Sequence, residues 1–334
     1  MMNVRIVKNW SDPYIFRQTP QSSGVWDGIR FFEEDLPSDY VIVLNTPVDN
    51  TRIECPSENV WLIIQEPSNE ETFWLHNDGK QYARIYTTDS AQRGTRIVYS
   101  QPALPWHVDK DYDFLKKVGP AEKDKTLSWI TSSKKNTAGH RDRMTFLEAL
   151  NSKVSFDLFG RGFTPINDKW DGLAYHKYSV AVENYSSPYY WTEKISDCFL
   201  SWTMPIYYGC TKITEYFPPE SLLQIDIKDT NAIEIITDVI HSDRWKKNID
   251  AIEYARNKIL DEYQIFPFLK SEIDKHHNVH LSKPHSIPRI LKPTEIPVSP
   301  MTKLKHRLGK YPAYRFLKRV YKGLKPPVVK NKDF

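Results

Sequence analysis

Cysteine is scarce in this chain of 334 residues: it occurs as Cys55, Cys198 and Cys210, with no paired spacing. That excludes a disulfide scaffold and a zinc ribbon, and it fits reduced thiols in a cytosolic-type compartment. Long apolar runs are missing too. No stretch reaches the roughly 18 apolar residues that a membrane-spanning helix needs. The opening MMNVRIVKNWSDPY has no apolar signal-peptide core. Neither signal-peptide secretion nor membrane spanning is expected, and no internal repeat is evident.

Core-forming material, by contrast, is ample. Apolar residues make up 40% and aromatics 13% of the chain, which excludes a disordered protein. The length exceeds what one hydrophobic core usually serves, so two domains are expected. The net charge of +4 conceals an uneven division. From Lys283 onward there are 14 Lys or Arg against two acids, Glu295 and Asp333, a net of +12. The preceding 282 residues carry 32 basic and 40 acidic groups, a net of −8. A mildly acidic body with a strongly basic tail points to an interaction segment on a globular protein.

The first 120 residues alternate strand and helix patterns. Strands are expected at Asn3–Val7, Tyr40–Asn45, Val60–Gln65, Arg84–Thr88 and Arg96–Tyr99. The spacing of Ile29, Phe32 and Leu36 predicts a helix over Gly28–Leu36. Runs such as VIVLN and VWLII suit a parallel sheet covered on both faces. The charged, Gly-Pro-containing stretch Asp109–Lys125 marks a junction. A second series follows, with strands at Leu127–Thr131, Val154–Phe159, Tyr178–Val182 and Met204–Tyr208 and helices at Gly139–Leu150 and Thr192–Trp202. Helices over Asn231–Tyr263 complete it. The fold class is α/β, with two Rossmann-like halves facing one another. The expected division is 1–115, 120–280, a proline-rich linker at 281–300 and a basic amphipathic tail at 301–334.

The segment His176–Gly209 combines strand, polar loop, helix and strand. Glu183 and Asn184 end a strand, placing polar side chains at the carboxyl edge of a parallel sheet, where ligands bind in such folds. Thr192 suits an N-cap, and Lys194 adds a cation where a helix N-terminus favours an anion. Taken alone, this pattern also fits plain capping, with Tyr189, Tyr190 and Trp191 as packing residues.

Four pieces of the segment resemble the donor-binding signature of the family-10 glycosyltransferases, the α-1,3/4-fucosyltransferases, in their bacterial branch. They are His176-Lys177-Tyr178, Val182-Glu183-Asn184, Tyr190-Trp191-Thr192-Glu193-Lys194 and Pro205-Ile206-Tyr207-Tyr208-Gly209. His176, Tyr178, Val182 and Trp191 depart from the family pattern, and all four are packing positions. KTLSWITSS, the helix with Arg143, FDLFGRG with Arg161, and YFPPESLLQIDI are similar to further family elements in order and spacing, so the resemblance covers about residues 120–280. Trp61–Asn69 is similar, more loosely, to the element holding the family's proposed catalytic base, which falls on Glu66. A carboxylate just past a buried strand would face the cleft; the alternative is that Glu66 caps the following turn.

The resemblance implies a GT-B fold and an inverting transfer of L-fucose from GDP-β-L-fucose to a hydroxyl of a GlcNAc-containing glycan, in α-1,3 linkage. It implies Glu66 as general base and Glu183 beside the fucose and its oxocarbenium-like transition state. Arg161 and Lys194 would meet the diphosphate and Glu193 the ribose, with Asn184, Tyr190 and Arg143 completing the donor pocket. No metal site and no cofactor are expected; a divalent ion would at most stimulate. His107 is open to two roles, lining the acceptor side or packing in a loop. The acceptor is expected to be an oligosaccharide or lipid-linked glycan, such as lipopolysaccharide or a protein glycan. The basic tail is expected to rest on anionic lipid, placing a cytoplasmic protein at the inner face of the membrane. Two alternatives stand beside this: a same-fold enzyme using another sugar nucleotide, and a nucleic-acid-binding protein working through its tail. Segregation of the basic residues to one end argues against nucleic acid.

Overall fold

A computed structural model describes residues 1–295 apart from Asp12, Asp78 and residues 277–286. Two parallel sheets organise them. The first is built from β1 (Met2–Lys8), β2 (Val25–Trp26), β3 (Ile29–Phe32), β4 (Tyr40–Leu44), β6 (Val60–Ile63), β7 (Arg84–Thr87) and β8 (Ile97–Tyr99), in the order β2-β3-β1-β4-β6-β7-β8. Only the β2–β3 pair is antiparallel. The second is all parallel, in the order β10-β9-β11-β12-β13. Its strands are β9 (Lys125–Ile130), β10 (Asp157–Phe159), β11 (His176–Val182), β12 (Met204–Tyr208) and β13 (Leu223–Gln224). These are the two expected Rossmann-like halves.

Burial follows from the pleat. In β4, Tyr40, Ile42 and Leu44 enter one core with Val4 and Ile6, while Val41 and Val43 enter another with Val7, Val60 and Leu62. A strand buried on both faces needs apolar residues at every position, which is why VIVL has no alternation. The second half has its own core, centred on Trp129, Tyr178, Phe199 and Ile206.

Three sequence expectations are corrected. Gly28–Leu36 holds strand β3, not a helix: Ile29, Phe31 and Phe32 are buried, and β3 pairs with β1 from Met2↔Ile29. Asp27 and Gly28 both have positive φ and turn β2 into β3, the geometry that an Asp-Gly hairpin favours. The boundaries at 115 and 280 also shift. Trp106, Val108 and Leu115, the last in helix α1 (Tyr112–Lys117), already belong to the second core. The second half then runs through α2 (Ala138–Asn151), α3 (Glu193–Leu200), α4 (Ala232–Ile240), α5 (Arg244–Lys247) and α6 (Ile249–Lys258). After a π-helical turn at Ile259–Tyr263 the chain returns. Helix α7 (Ile265–His276) inserts Ile265, Phe266, Leu269 and Ile273 into the first core. Within the proline-rich stretch, β14 (Ile287–Leu291) pairs antiparallel with β5 (Thr51–Cys55) as a separate ribbon. Proline at an edge pairing is tolerated because only one side of the strand is bonded. The tail at 301–334 and the rest of the linker, apart from residues 292–295, lie outside the described residues.

Lys123, just before β9, is buried without a carboxylate partner among the described residues. Its ammonium donates to the carbonyls of Ser201 (2.9 Å) and Leu173 (3.4 Å) and to Thr203 Oγ1 (3.1 Å). Burial pulls its pKa from 10.5 down to about 7. The unfolded chain therefore binds more protons than the folded one between those values, and stability rises with pH across that window. Thermal unfolding midpoints measured from pH 7 to 10 should show this rise, and Lys123→Met should flatten it; an unchanged slope in the variant would refute the assignment.

Candidate active site

At the carboxyl ends of β9, β10 and β11 lies a cavity of about 480 Å³. Five cationic side chains line it, Lys134, Arg143, Arg161, Lys169 and Lys194, against one carboxylate, Glu193, among its described lining residues. His107, His140 and Asn184 complete much of the wall. Such a concentration of positive charge suits an anion with several oxygens. Arg161 and Lys134 make no hydrogen bond or ion pair with their side chains among the described residues, so both charges are available to a ligand. Arg161 is presented by a loop pressed against the end of β9. There, Gly160 has φ +114°, and a Cβ would collide with the carbonyl of Thr131.

The expected helix N-cap is present, but an internal anion already occupies the helix end. Thr192 caps α3, accepting from Lys194 N–H at 3.4 Å. The buried carboxylate of Glu183 accepts from Thr192 N–H (2.9 Å), from Thr192 Oγ1 (2.7 Å) and from Lys194 Nζ (2.8 Å). Burial pushes the Glu183 carboxyl up while Lys194 and Thr192 hold it down. Lys194 loses affinity for its proton through burial and more than regains it from Glu183 and Glu193. Room for Glu183 comes from Gly209, where any Cβ would strike its Cγ. Glu183 does not line the large cavity; it lines a smaller one of about 190 Å³ that shares Asn184.

Glu193 sits among cations. Burial would raise its pKa, but Lys194, Lys169 and His107 overcome that and keep it well below the usual carboxylate range. Lys169 Nζ lies 3.5 Å from Glu193 and 2.9 Å from Asp197 on the same helix. Asp197 in turn accepts the N–H groups of His107 (2.8 Å) and Val108 (3.3 Å). His107 is thereby placed in the cavity wall, 4.0 Å from Glu193, and burial lowers its pKa.

Glu66 follows β6 in the first half. Its side chain opens to solvent, yet the crowded protein around it raises its pKa, with Glu193 adding to the rise and Lys194 and Lys134 opposing it. Those three charges belong to the second half and lie close enough for Glu66 to feel them, although Glu66 itself is not among the residues that line the cavity. The loop beyond it also reaches the second half, where Glu71 accepts from Asn136 at 3.2 Å, and from the end of β8 Tyr99 stacks on Tyr189 at 5.6 Å.

The remaining sequence candidates take more structural places. Arg143 is buried, donating from Nη2 to the Ser132 carbonyl (3.0 Å). Asn184 Nδ2 meets His140 Nε2 at 3.3 Å, and its Oδ1 has no partner among the described residues. Tyr190 is buried edge-on to Tyr185 and does not line the cavity. Trp191 is buried among Phe217, Tyr216 and Tyr263. The run Asp109–Asp113 is consumed locally: Asp109 pairs with Arg17, Asp111 caps α1 and Asp113 accepts Gln21 N–H. No group of three metal-ligating side chains occurs among the described residues. Sequence reasoning missed Lys134, Lys169 and His140. Lys134 could have been found from its place four residues past a strand that ends at the cavity; nothing in the sequence marks Lys169 or His140.

Two cations should behave differently. Lys194→Ala strips a buried carboxylate of its partner, so it should cost about 3 kcal/mol of stability and weaken GDP binding. Arg161→Ala should weaken GDP binding with little change in unfolding temperature. Calorimetric titration with GDP and thermal melts decide this; full GDP affinity in either variant would remove that residue from the anion site.

Residues 120–244 match the model of the glycosyltransferase family 10 (fucosyltransferase) C-terminal region. Solved structures similar to the chain include an α1,3-fucosyltransferase with GDP-fucose, at 17% identity and a TM-score of 0.44, covering 79% of this chain and 92% of that one. Another is T4 phage BGT in complex with its UDP-glucose substrate, at 12% identity and a TM-score of 0.42, covering 82% of this chain and 100% of that one. The second sheet and all the cationic side chains that line the cavity fall within the region that matches the glycosyltransferase family 10 (fucosyltransferase) C-terminal model.

Proposed function

We propose that this protein transfers L-fucose from GDP-β-L-fucose to a hydroxyl of a GlcNAc-containing glycan, in α-1,3 linkage and with inversion. The observation that supports it most is the cavity lined by five cations, with the Glu66 carboxylate of the opposite half within electrostatic reach of Lys194 and Lys134. The acceptor oxygen bonds to the anomeric carbon as Glu66 takes its proton. The bond from that carbon to the β-phosphate oxygen breaks, and its electron pair leaves with GDP. Arg161, Lys134 and Lys194 receive the charge that develops on the diphosphate. Glu193, held ionised, is suited to accept hydrogen bonds from ribose hydroxyls. The oxygens of Glu183 are engaged by Thr192 and Lys194, so it acts on a sugar cation through its charge rather than by contact.

Protein cations neutralise the diphosphate in this scheme, so chelation with EDTA should leave turnover within about twofold, with a divalent ion at most stimulatory. A loss of activity that added Mg²⁺ or Mn²⁺ restores would overturn that part. The donor itself is tested by protection against thermal unfolding with GDP-fucose, GDP-mannose and UDP-sugars; preference for any donor but GDP-fucose would overturn the assignment in favour of another sugar nucleotide. A location at the inner membrane face through the basic tail belongs to the same proposal. It is supported by the +12 net charge from Lys283 onward.

The role of Glu66 predicts a pH profile. Its raised pKa places the acid limb of kcat/KM above the ordinary carboxylate value of about 4.3, with activity rising as pH climbs through that limb. Glu66→Gln should abolish transfer, leave GDP binding nearly intact and melt no lower than the parent at pH 7, since an ionised carboxylate with a raised pKa costs stability there. Substantial turnover in that variant would refute the base.

A further inference from the structure

The base candidate and the donor cavity belong to different halves, so transfer depends on how the chain fixes one against the other. Gln65, immediately before Glu66, is fully buried and bonded to three separate segments. Its N–H donates to Asn45 Oδ1 at 2.8 Å. Its Oε1 accepts from Trp10 Nε1 at 3.1 Å. Its Nε2 donates to the carbonyls of Pro102 and Ala103, both at 3.3 Å. Those two residues begin the crossover from the first half to the second. At the other end of that crossover, the N–H groups of His107 and Val108 are held by Asp197, which also holds Lys169 beneath Glu193.

The segment between is stiff. Pro102 and Pro105 fix φ at two positions. Ala103 is held at φ +48°, a conformation that a non-glycine residue keeps only when its surroundings enforce it. Gln101 receives Ala103 N–H and donates to the carbonyl of Tyr263 (2.9 Å). Trp106 N–H donates to Gln18 Oε1 at 3.0 Å, and the Trp106 and Val108 side chains are buried in the second core.

We infer that residues 101–108 form a strap that sets the separation of Glu66 from the donor cavity, with Gln65 and Asp197 as positioning residues at its two ends. The inference rests on the assignment of Glu66 as the base. Misplacing a reacting group by 1 Å costs roughly a hundredfold in rate, so a rigid tie between the halves has a direct kinetic meaning. A small, mobile water tolerates a displaced base better than an acceptor hydroxyl held in place by its glycan. Donor hydrolysis therefore reports mainly the cavity, while transfer reports the cavity and the position of the base together.

Gln65→Met preserves volume and the bond to Asn45 but cuts the ties to Trp10, Pro102 and Ala103. It should lower kcat for transfer about tenfold, with GDP affinity and GDP-fucose hydrolysis changed by less than about twofold. Trp10→Phe, a milder change at a half-buried site, should shift the ratio of transfer to hydrolysis in the same direction. Combined with Asp197→Asn, Gln65→Met should be non-additive in transfer kcat, because both loosen one element. An unchanged ratio in folded Gln65→Met and Trp10→Phe, or parallel falls in transfer, hydrolysis and GDP affinity, would overturn the strap. Should Gln65→Met not fold, Trp10→Phe decides alone. Failure of the base assignment shows separately, as turnover retained by Glu66→Gln.

Discussion

A buried carboxylate demands a partner, and the second half is arranged around meeting that demand for Glu183. Taking this group out of water is tolerable because an ammonium, a hydroxyl and a backbone N–H converge on it. Each requirement has a structural counterpart. The N–H and hydroxyl come from Thr192, so α3 must begin there. The ammonium comes from Lys194, so it must lie on the first turn. The space comes from the missing side chain of Gly209 at the end of β12. Three separated pieces of sequence are thus bound to one charge.

The same interaction shapes the cavity. Lys194 is shared between an internal anion and whatever anion enters, so its charge is moderated rather than fully exposed. Arg161 and Lys134 carry no such obligation, and Lys169 is committed to Asp197 and Glu193. The cavity therefore combines two free cations with three that are anchored, Arg143 to the Ser132 carbonyl. Lys169 and Lys194 keep Glu193 ionised, which leaves a charged acceptor group in a wall dominated by cations.

The parts of the fold most visible in sequence were those where burial acts on both faces of a strand. VIVL and VWLI announced β4 and β6 because every position had to be apolar. The cap at Thr192 and the polar edge at Glu183-Asn184 were visible for a related reason: each is a local requirement met by neighbouring residues. What escaped was non-local or turn-driven. Helical spacing at Ile29, Phe32 and Leu36 was accidental, and the Asp27-Gly28 turn carried the information instead. Lys169 enters the site from a short 3₁₀ turn, and its role exists only because Asp197 and Glu193 are brought to it in space. The return of α7 to the first core could not be read from its own amphipathic pattern, which states that a face is buried but not against what.

That return has a consequence for how the chain is made. The face of the first sheet formed by Val4, Ile6, Tyr40 and Ile42 is completed by Phe266 and Leu269, more than two hundred residues later. During synthesis the amino-terminal sheet emerges long before the helix that covers it. It must wait with apolar surface open, while the intervening half can assemble around its own core. The half that is translated first is then the last to be completed.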